Sequence, residues 1–334
     1  MNISVVIPLL DESESLEELH RQLCDVLDSL ELESEIIIID DGSEDDSWQM
    51  IEQLRERDAR VKGIQFRRNF GKAAALNAGI AHASGEWVIT MDADLQDDPN
   101  EIPRFLEAVD DNSLDVVSGW KRIRHDPWHK TLPSRVFNWM VSRLTGVRLH
   151  DHNCGFKCYR REIFNEVKLY GERHRFVPVL AAAVGWKIGE IEVHHRPRKY
   201  GRSKYGVWRM VKGFLDLLTV YFLTGYGQRP QHLLGSFGLF AFLLGGIGIF
   251  LLTGWWGISR IDNFLLMFDA AATPKATLEA QADDLHLHDR AIFYYSIVSV
   301  LLGAQFMVIG FLAELITSHW AADHEPYLIR KRLE

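Results

Sequence analysis

The chain has 334 residues, 47% of them hydrophobic and 25% charged, with 46 acidic side chains against 37 basic ones and a formal net charge of −9. That acidic excess excludes the usual nucleic-acid binder, which carries a clear basic surplus. Three cysteines are too few and too odd in number for a disulfide framework, so a reducing compartment is expected.

The first half reads as alternating strands and helices. Ile3 to Ile7 is an apolar run closed by Pro8, as in a buried strand. It has no basic n-region before it, and Asp11 and Glu12 end it too early for a signal peptide. From Ser15 to Leu30, leucines and a valine recur at helical spacing on one stripe. Ile36 to Ile39 predicts a second buried strand, ending in the turn Asp40-Asp41-Gly42-Ser43. A helix over Asp46 to Arg57 follows, then a strand over Val61 to Phe66, an alanine-rich helix over Lys72 to Ala83, and a strand over Trp87 to Met91. Further strands are expected at Asp115 to Ser118 and Ile188 to His195. This alternation predicts an α/β fold, a mostly parallel sheet with helices on both faces. In such sheets ligands bind beyond the carboxyl ends of the strands. Asp11–Glu12, Asp40–Asp41 and Asp92–Asp94 therefore fall on one rim. No G-x-G-x-x-G follows the first strand and no P-loop is present, so the common phosphate cradles are missing.

The second half is apolar. Leu233 to Trp255 and Ala291 to Ala313 are each 23 residues without a charge, enough to cross a bilayer that needs about 20. Trp255, Trp256, Tyr294 and Tyr295 stand near their ends, as in an aromatic belt. Gly245, Gly246 and Gly248 suit close helix packing, which also permits a homo-oligomer. Val207 to Tyr226 carries Arg209, Lys212 and Asp216 on one side and a broad apolar face on the other. That pattern fits a helix in the membrane interface, or one packed on the soluble half. The expected organisation is a soluble domain over residues 1–206, an amphipathic segment over 207–230, two spans with an acidic connecting loop over 231–316, and a tail over 317–334. The tail's Arg330, Lys331 and Arg332 place both termini in the cytoplasm.

Asp92-Ala93-Asp94 is the first candidate centre. Two carboxylates two residues apart on an extended segment project to the same side. At a strand end they can hold a hard divalent cation, Mg²⁺ or Mn²⁺ rather than Zn²⁺, completed by substrate phosphates, with Gln96 as a further oxygen donor. The same residues also read as an acidic turn leading through Asp97, Asp98 and Pro99 into a helix. Two basic clusters are candidate anion sites, the second also readable as a juxtamembrane stripe that attracts anionic lipid. Arg122 and Arg124 follow a strand, and Arg198, Arg202, Ser203 and Lys204 precede the amphipathic segment, where a lipid-borne phosphate would arrive. His150, His152, Cys154 and Cys158 lack paired zinc spacing and are not expected to bind zinc. His194 and His195 are expected to be structural.

Several motifs occur together and in order: Val5-Val6-Ile7-Pro8 with Asp11-Glu12, Ile39-Asp40-Asp41-Gly42-Ser43, Arg68-Asn69-Phe70-Gly71-Lys72, Met91 to Pro99, Cys154-Gly155-Phe156-Lys157, and Gly201-Arg202-Ser203-Lys204-Tyr205. Over roughly residues 1–230 this set resembles family-two glycosyltransferases of the GT-A fold. The branch is the polyprenyl-phosphate one, which includes dolichyl-phosphate mannose synthases. Leu10 departs from the pattern, since the family commonly has Asn before the acid pair. The resemblance implies a metal-dependent, inverting transfer of a hexose from a UDP- or GDP-linked sugar to a polyprenyl phosphate, undecaprenyl or dolichyl, at the cytoplasmic membrane face. It also implies roles for individual positions. Pro8, Asp11, Glu12 and Asp41 resemble nucleoside-binding residues, and Lys72 would face the donor. Asp92, Asp94 and Gln96 resemble the metal and diphosphate site, with Arg122 and Asp151 beside it in the reacting centre. Arg124, Lys157, Arg198, Arg202, Ser203 and Lys204 resemble the acceptor-phosphate side. Two rivals remain: a polysaccharide synthase, for which Q-x-x-R-W is missing here, and a non-catalytic scaffold that only binds nucleotide sugar.

Overall fold

The structure is a computed structural model. It describes residues 2–122, 128–167, 173–197, 199, 208–227, 229–268, 287 and 290–321. The chain divides into two compact units, Met1–Thr224 and Gly225–Glu334.

Unit one is built on a seven-stranded sheet. Its strands are β1 (Ile3–Leu9), β2 (Ser34–Asp40), β3 (Val61–Gln65), β4 (Trp87–Thr90), β5 (Val116–Trp120), β6 (Lys157–Arg160) and β7 (Ile188–Glu192), in the spatial order β3-β2-β1-β4-β6-β5-β7. β1 pairs in parallel with β2 and β4, β2 with β3, and β5 with β7. β6 alone runs the other way, antiparallel to β4 and β5.

The uninterrupted Ile and Val runs of β1 and β2 follow from burial on both faces. Side chains alternate between two cores. Ile3, Val5, Ile7 and Leu9 join Ile36 and Ile38 on the face covered by helices α1 (Ser13–Ser29), α2 (Ser47–Arg57) and α4 (Ile102–Asn112). Val6, Ile37 and Ile39 join the face covered by α3 (Lys72–His82), α6 (Ile163–Glu166) and α7 (Val177–Ala183). On α1 the stripe Leu16, Leu19, Leu23, Val26 and Leu27 is buried as its spacing predicts. Each such leucine contributes about 1.5–3 kcal/mol by leaving water.

Several elements go beyond expectation, among them β6, α5 (Trp128–Thr145), α6 and α7. Helix α5 forms despite Pro133 in its interior, and no helical signal had marked it. Its Val141 packs with Phe176, Val179, Leu217 and Val220, so it shares a small core with α7 and with α8 (Trp208–Tyr226). The amphipathic α8 thus packs on the sheet domain by one side, while Phe214, Leu215 and Leu218 stay exposed. On α5, Leu132, Val136 and Trp139 are exposed in the same way.

Unit two is a helical hairpin of α9 (Pro230–Phe268) and α10 (Ala291–Ala321). Pro230 opens α9, where its missing N–H costs nothing. Both helices are long and apolar enough to cross a membrane, with mean hydropathy 2.1 and only 11% and 17% of their most apolar stretches buried. A soluble core helix would be mostly buried. The backbones touch where Gly238 meets Gly303, and Ser299 Oγ donates to the Ala241 carbonyl at 2.8 Å. α9 outruns its expected span. Ile258, Ile261, Phe264 and Leu265 continue the helical spacing past Arg260, which interrupts the hydropathy but not the helix.

Candidate active site

The winding order reverses at β1: β2 and β3 lie to one side and β4 to the other. Such a switch point opens a crevice at the carboxyl ends of the strands. The loops following β1, β2, β3, β4 and β5 meet there. Another leads into β6, which begins at this rim because it runs antiparallel.

After β1, Asp11 adopts a left-handed backbone (φ 53°), which a short polar side chain tolerates. Its N–H donates to Ser43 Oγ at 2.9 Å, and its carboxylate accepts from the Glu44 N–H at 2.9 Å. The Glu12 N–H donates to Ser47 Oγ at 3.0 Å. The first two loops are thereby joined, and Pro8 is buried at the base, level with Ile39. After β2, the buried Asp41 accepts the N–H groups of Phe70 (2.7 Å) and Gly71 (2.9 Å). Burial pushes its pKa up against those two amides. Asp41 thus fixes the turn that launches α3, whose first residue is Lys72.

Lys72 reaches across the crevice to Asp92 and forms an ion pair with its Oδ1, both side chains about 30% exposed (31% and 29%). Burial opposes the Asp92 charge, but Lys72, and then Lys121 and His174, outweigh it and hold its pKa down to about 2. Asp94, only 6% exposed, accepts the Gln96 N–H at 3.1 Å. The Gln96 side chain turns elsewhere: its Nε2 stands 3.4 Å from His195 Nε2 and 3.5 Å from the Arg196 carbonyl. Gln96 therefore orients Asp94 and ties this loop to the segment after β7.

Gly155 forms the opposite wall. Thr90 Oγ1 donates to its carbonyl at 2.8 Å, and a Cβ at this position would stand 3.1 Å from both Asp92 Oδ1 and Lys72 Nζ. Lys157, two residues on, faces inward. It is 2% exposed and donates to the carbonyls of His152 (3.3 Å) and Cys154, and burial lowers its pKa to about 8. The ammonium thus braces the loop rather than opening onto the rim, a consequence of its register opposite Thr90 and Ser118. Asp151, 1% exposed, accepts the Asn153 N–H at 3.1 Å and adds negative charge near Lys157.

Lys121 carried no signal in the sequence beyond its place after β5. It pairs with the buried Asp97 at 2.7 Å, and that carboxylate raises its pKa against burial. Arg122 is 64% exposed, 3.3 Å from Glu192 and over the Trp120 ring. Arg124, Arg198, Arg202, Ser203 and Lys204 lie outside the described residues. The histidine–cysteine set does not converge. His150 pairs with Glu190, His152 stands 3.0 Å from Ser142 Oγ, and Cys154 and Cys158 lie in the core with thiols pushed up by burial.

A rim of two carboxylates and two lysines suits an anionic diphosphate. Comparison with known proteins agrees. Residues 4–168 match the model of Glycosyl transferase family 2. The chain is 34% identical to dodecaprenyl-phosphate galacturonate synthase of Rhizobium johnstonii, over 99% of this chain and 93% of the relative. It is 35% identical to undecaprenyl-phosphate 4-deoxy-4-formamido-L-arabinose transferase of Salmonella choleraesuis, over 94% and 88%. Among solved structures, glucosyl-3-phosphoglycerate synthase from Mycobacterium tuberculosis in complex with Mn²⁺, UDP and glucosyl-3-phosphoglycerate superposes with a TM-score of 0.53. Its identity is 16%, over 67% of this chain and 79% of that one, which carries the fold alone. The same enzyme with Mg²⁺ and UDP gives 0.51 at 17% identity, over 67% and 79%. With two relatives above 30% identity along nearly the whole length, the chain belongs to glycosyltransferase family 2 and is a glycosyltransferase of the GT-A fold.

Proposed function

We propose that this enzyme moves a hexose from a UDP- or GDP-linked sugar to a polyprenyl phosphate, with inversion, at the cytoplasmic face of a membrane. The observation that carries the reading is the Lys72–Asp92 pair at the switch-point crevice, in a chain that also has two membrane-length helices. Both relatives are named for sugar transfer to a polyprenyl phosphate, which supports the lipid acceptor. Their sugars differ from each other, so the donor sugar is the part a panel must decide. The scaffold alternative loses ground because both relatives are named as synthase or transferase.

Asp92 and Asp94 fit a hard divalent cation. They offer carboxylate oxygens, and Asp92 Oδ1 already holds a cation, the Lys72 ammonium, as a stand-in. Mg²⁺ or Mn²⁺ there would offset charge on the departing diphosphate. The neighbours crystallised with Mn²⁺ or Mg²⁺ and UDP support that choice. The chain's own groups do the rest. Lys72 and Lys121 place positive charge beside the crevice. Asp41 and Gly155 set the position of Lys72 and the width of the cleft. The acceptor phosphate is ionised at neutral pH, so no protein base has to deprotonate it. Arg198, Arg202, Ser203 and Lys204 are proposed to receive that phosphate. Exposed Leu132, Val136, Trp139, Phe214, Leu215 and Leu218 on α5 and α8 support a membrane-facing side of the catalytic unit.

The test is turnover by the purified full chain in detergent with UDP- and GDP-sugars, a short polyprenyl phosphate and Mg²⁺ or Mn²⁺, with the lipid product identified by mass spectrometry. A sugar-phosphate lipid is expected from at least one donor, and Asp94→Ala should abolish it. Full activity in Asp94→Ala, or no lipid product from any donor, would overturn the proposal.

A further inference from the structure

A second cluster of ligating side chains lies away from the rim. Helix α1 leaves the rim at Ser13 and runs back along the sheet, so Cys24 lies roughly 16 Å down its axis at 1.5 Å per residue. His20 and Cys24 are four residues apart and share one helical face. Asp58 caps the end of α2, just before β3. The ligand atoms converge: His20 Nε2 is 3.1 Å from Asp58 Oδ2, and Cys24 Sγ is 3.4 Å from each of them. Atoms bonded to a tetrahedral ion at about 2.0–2.3 Å stand about 3.3–3.6 Å apart, so the three need to open by only about 0.2 Å.

We propose that His20, Cys24 and Asp58 form a three-ligand site for a borderline-soft divalent cation of the zinc class, which ties α1 to the turn between α2 and β3. Imidazole and thiolate select such an ion over the hard cation suited to the rim carboxylates, so the two sites sort metals by chemistry. The His20 and Asp58 side chains are 15% and 13% exposed, open enough for entry and partly shielded from water. Without metal, Arg60 supplies the positive charge: its Nη2 is 3.0 Å from Asp58 Oδ2 and 3.3 Å from Cys24 Sγ. Asp28, 2.5 Å from Arg60 Nη1, offers the guanidinium an alternative partner when it yields. Cys24 binds the ion as thiolate, so its proton passes to solvent as the sulfur–metal bond forms. The ion forms bonds to sulfur, nitrogen and oxygen, and water fills the fourth position.

The test uses untagged full chain in detergent, stripped with chelator and titrated with Co²⁺ and then Zn²⁺. A thiolate-to-cobalt charge-transfer band in the near ultraviolet is expected in the wild type and in Asp92→Ala, but not in Cys24→Ser. Zinc affinity should fall about hundredfold or more in Cys24→Ser. It should rise about tenfold in Arg60→Gln, where the competing cation is gone. Cys154 and Cys158 are buried, so thiol alkylation reports on Cys24, and Zn²⁺ should slow it in the wild type even if a variant fails to fold. A band that persists in Cys24→Ser, alkylation unaffected by Zn²⁺, or zinc affinity that does not rise in Arg60→Gln would overturn the proposal.

Discussion

Asp92 keeps its negative charge because Lys72, Lys121 and His174 outweigh the cost of burial. Removing the nearest of these cations has two consequences. In Lys72→Met the Asp92 carboxyl should titrate upward from about 2, and the crevice should lose a charge proposed to meet the departing diphosphate. We expect kcat/KM to fall about 10²-fold or more with the fold intact, measured by steady-state kinetics beside a thermal melt. Lys157 gives a test in the opposite pH range. Its folded pKa is about 8 against an ordinary 10.5. Between those values the unfolded chain holds a proton that the folded chain releases, so this group makes stability rise with pH through that window. Below pH 8 its full penalty is present. The difference in melting temperature between wild type and Lys157→Met should therefore shift in favour of the wild type from pH 8 to 10. The acidic motif at residues 92–96 was legible because both carboxylates follow a strongly apolar strand. The inward turn of Lys157 was not, since it depends on register with strands distant in sequence.

Glu35, at the start of β2, joins parts of the sheet that the chain visits at different times. Its carboxylate accepts from Ser4 on β1, from Lys62 on β3, and from the N–H (2.6 Å) and Oγ (2.9 Å) of Ser84 ahead of β4. Burial raises its pKa, but these donors outweigh burial and hold it at about 2. The stabilisation is thus present above the ordinary carboxyl value of 4.5 and lost as pH falls towards 2. Glu35→Gln should be less stable at pH 7 by about 1–3 kcal/mol, and the gap should close on acidification in urea titrations. The strands were predictable where both faces are apolar, as in β1, β2 and β4. β6 was not, because four residues, Lys-Cys-Tyr-Arg, carry no period, and its pairing is settled by long-range partners. α5 was hidden by Pro133, and its apolar contacts with α7 and α8 override that local penalty. The amphipathic spacing of α8 fits an interfacial helix and a packed one equally well; Leu217 and Val220 pack on protein, and Phe214, Leu215 and Leu218 stay exposed.

The helical hairpin depends on close backbone approach. A Cβ at Gly303 would lie 2.5 Å from the Phe242 nitrogen, which no side-chain motion relieves. Gly303→Leu should force α9 and α10 apart, since packing between small residues holds such pairs. Disulfide formation between cysteines introduced at Ala241 and Ser299, neighbours through a hydrogen bond at 2.8 Å, should then drop sharply. Donor binding should survive, because the catalytic unit has its own cores. The reversed strand β6 has a further consequence for biosynthesis. A ribosome must deliver residue 160 before β4 gains its second neighbour and before Gly155 arrives beside Asp92. Until then β4 is a bare edge, inviting other chains to add to it. A message truncated ahead of this strand should yield insoluble protein rather than a weakened enzyme.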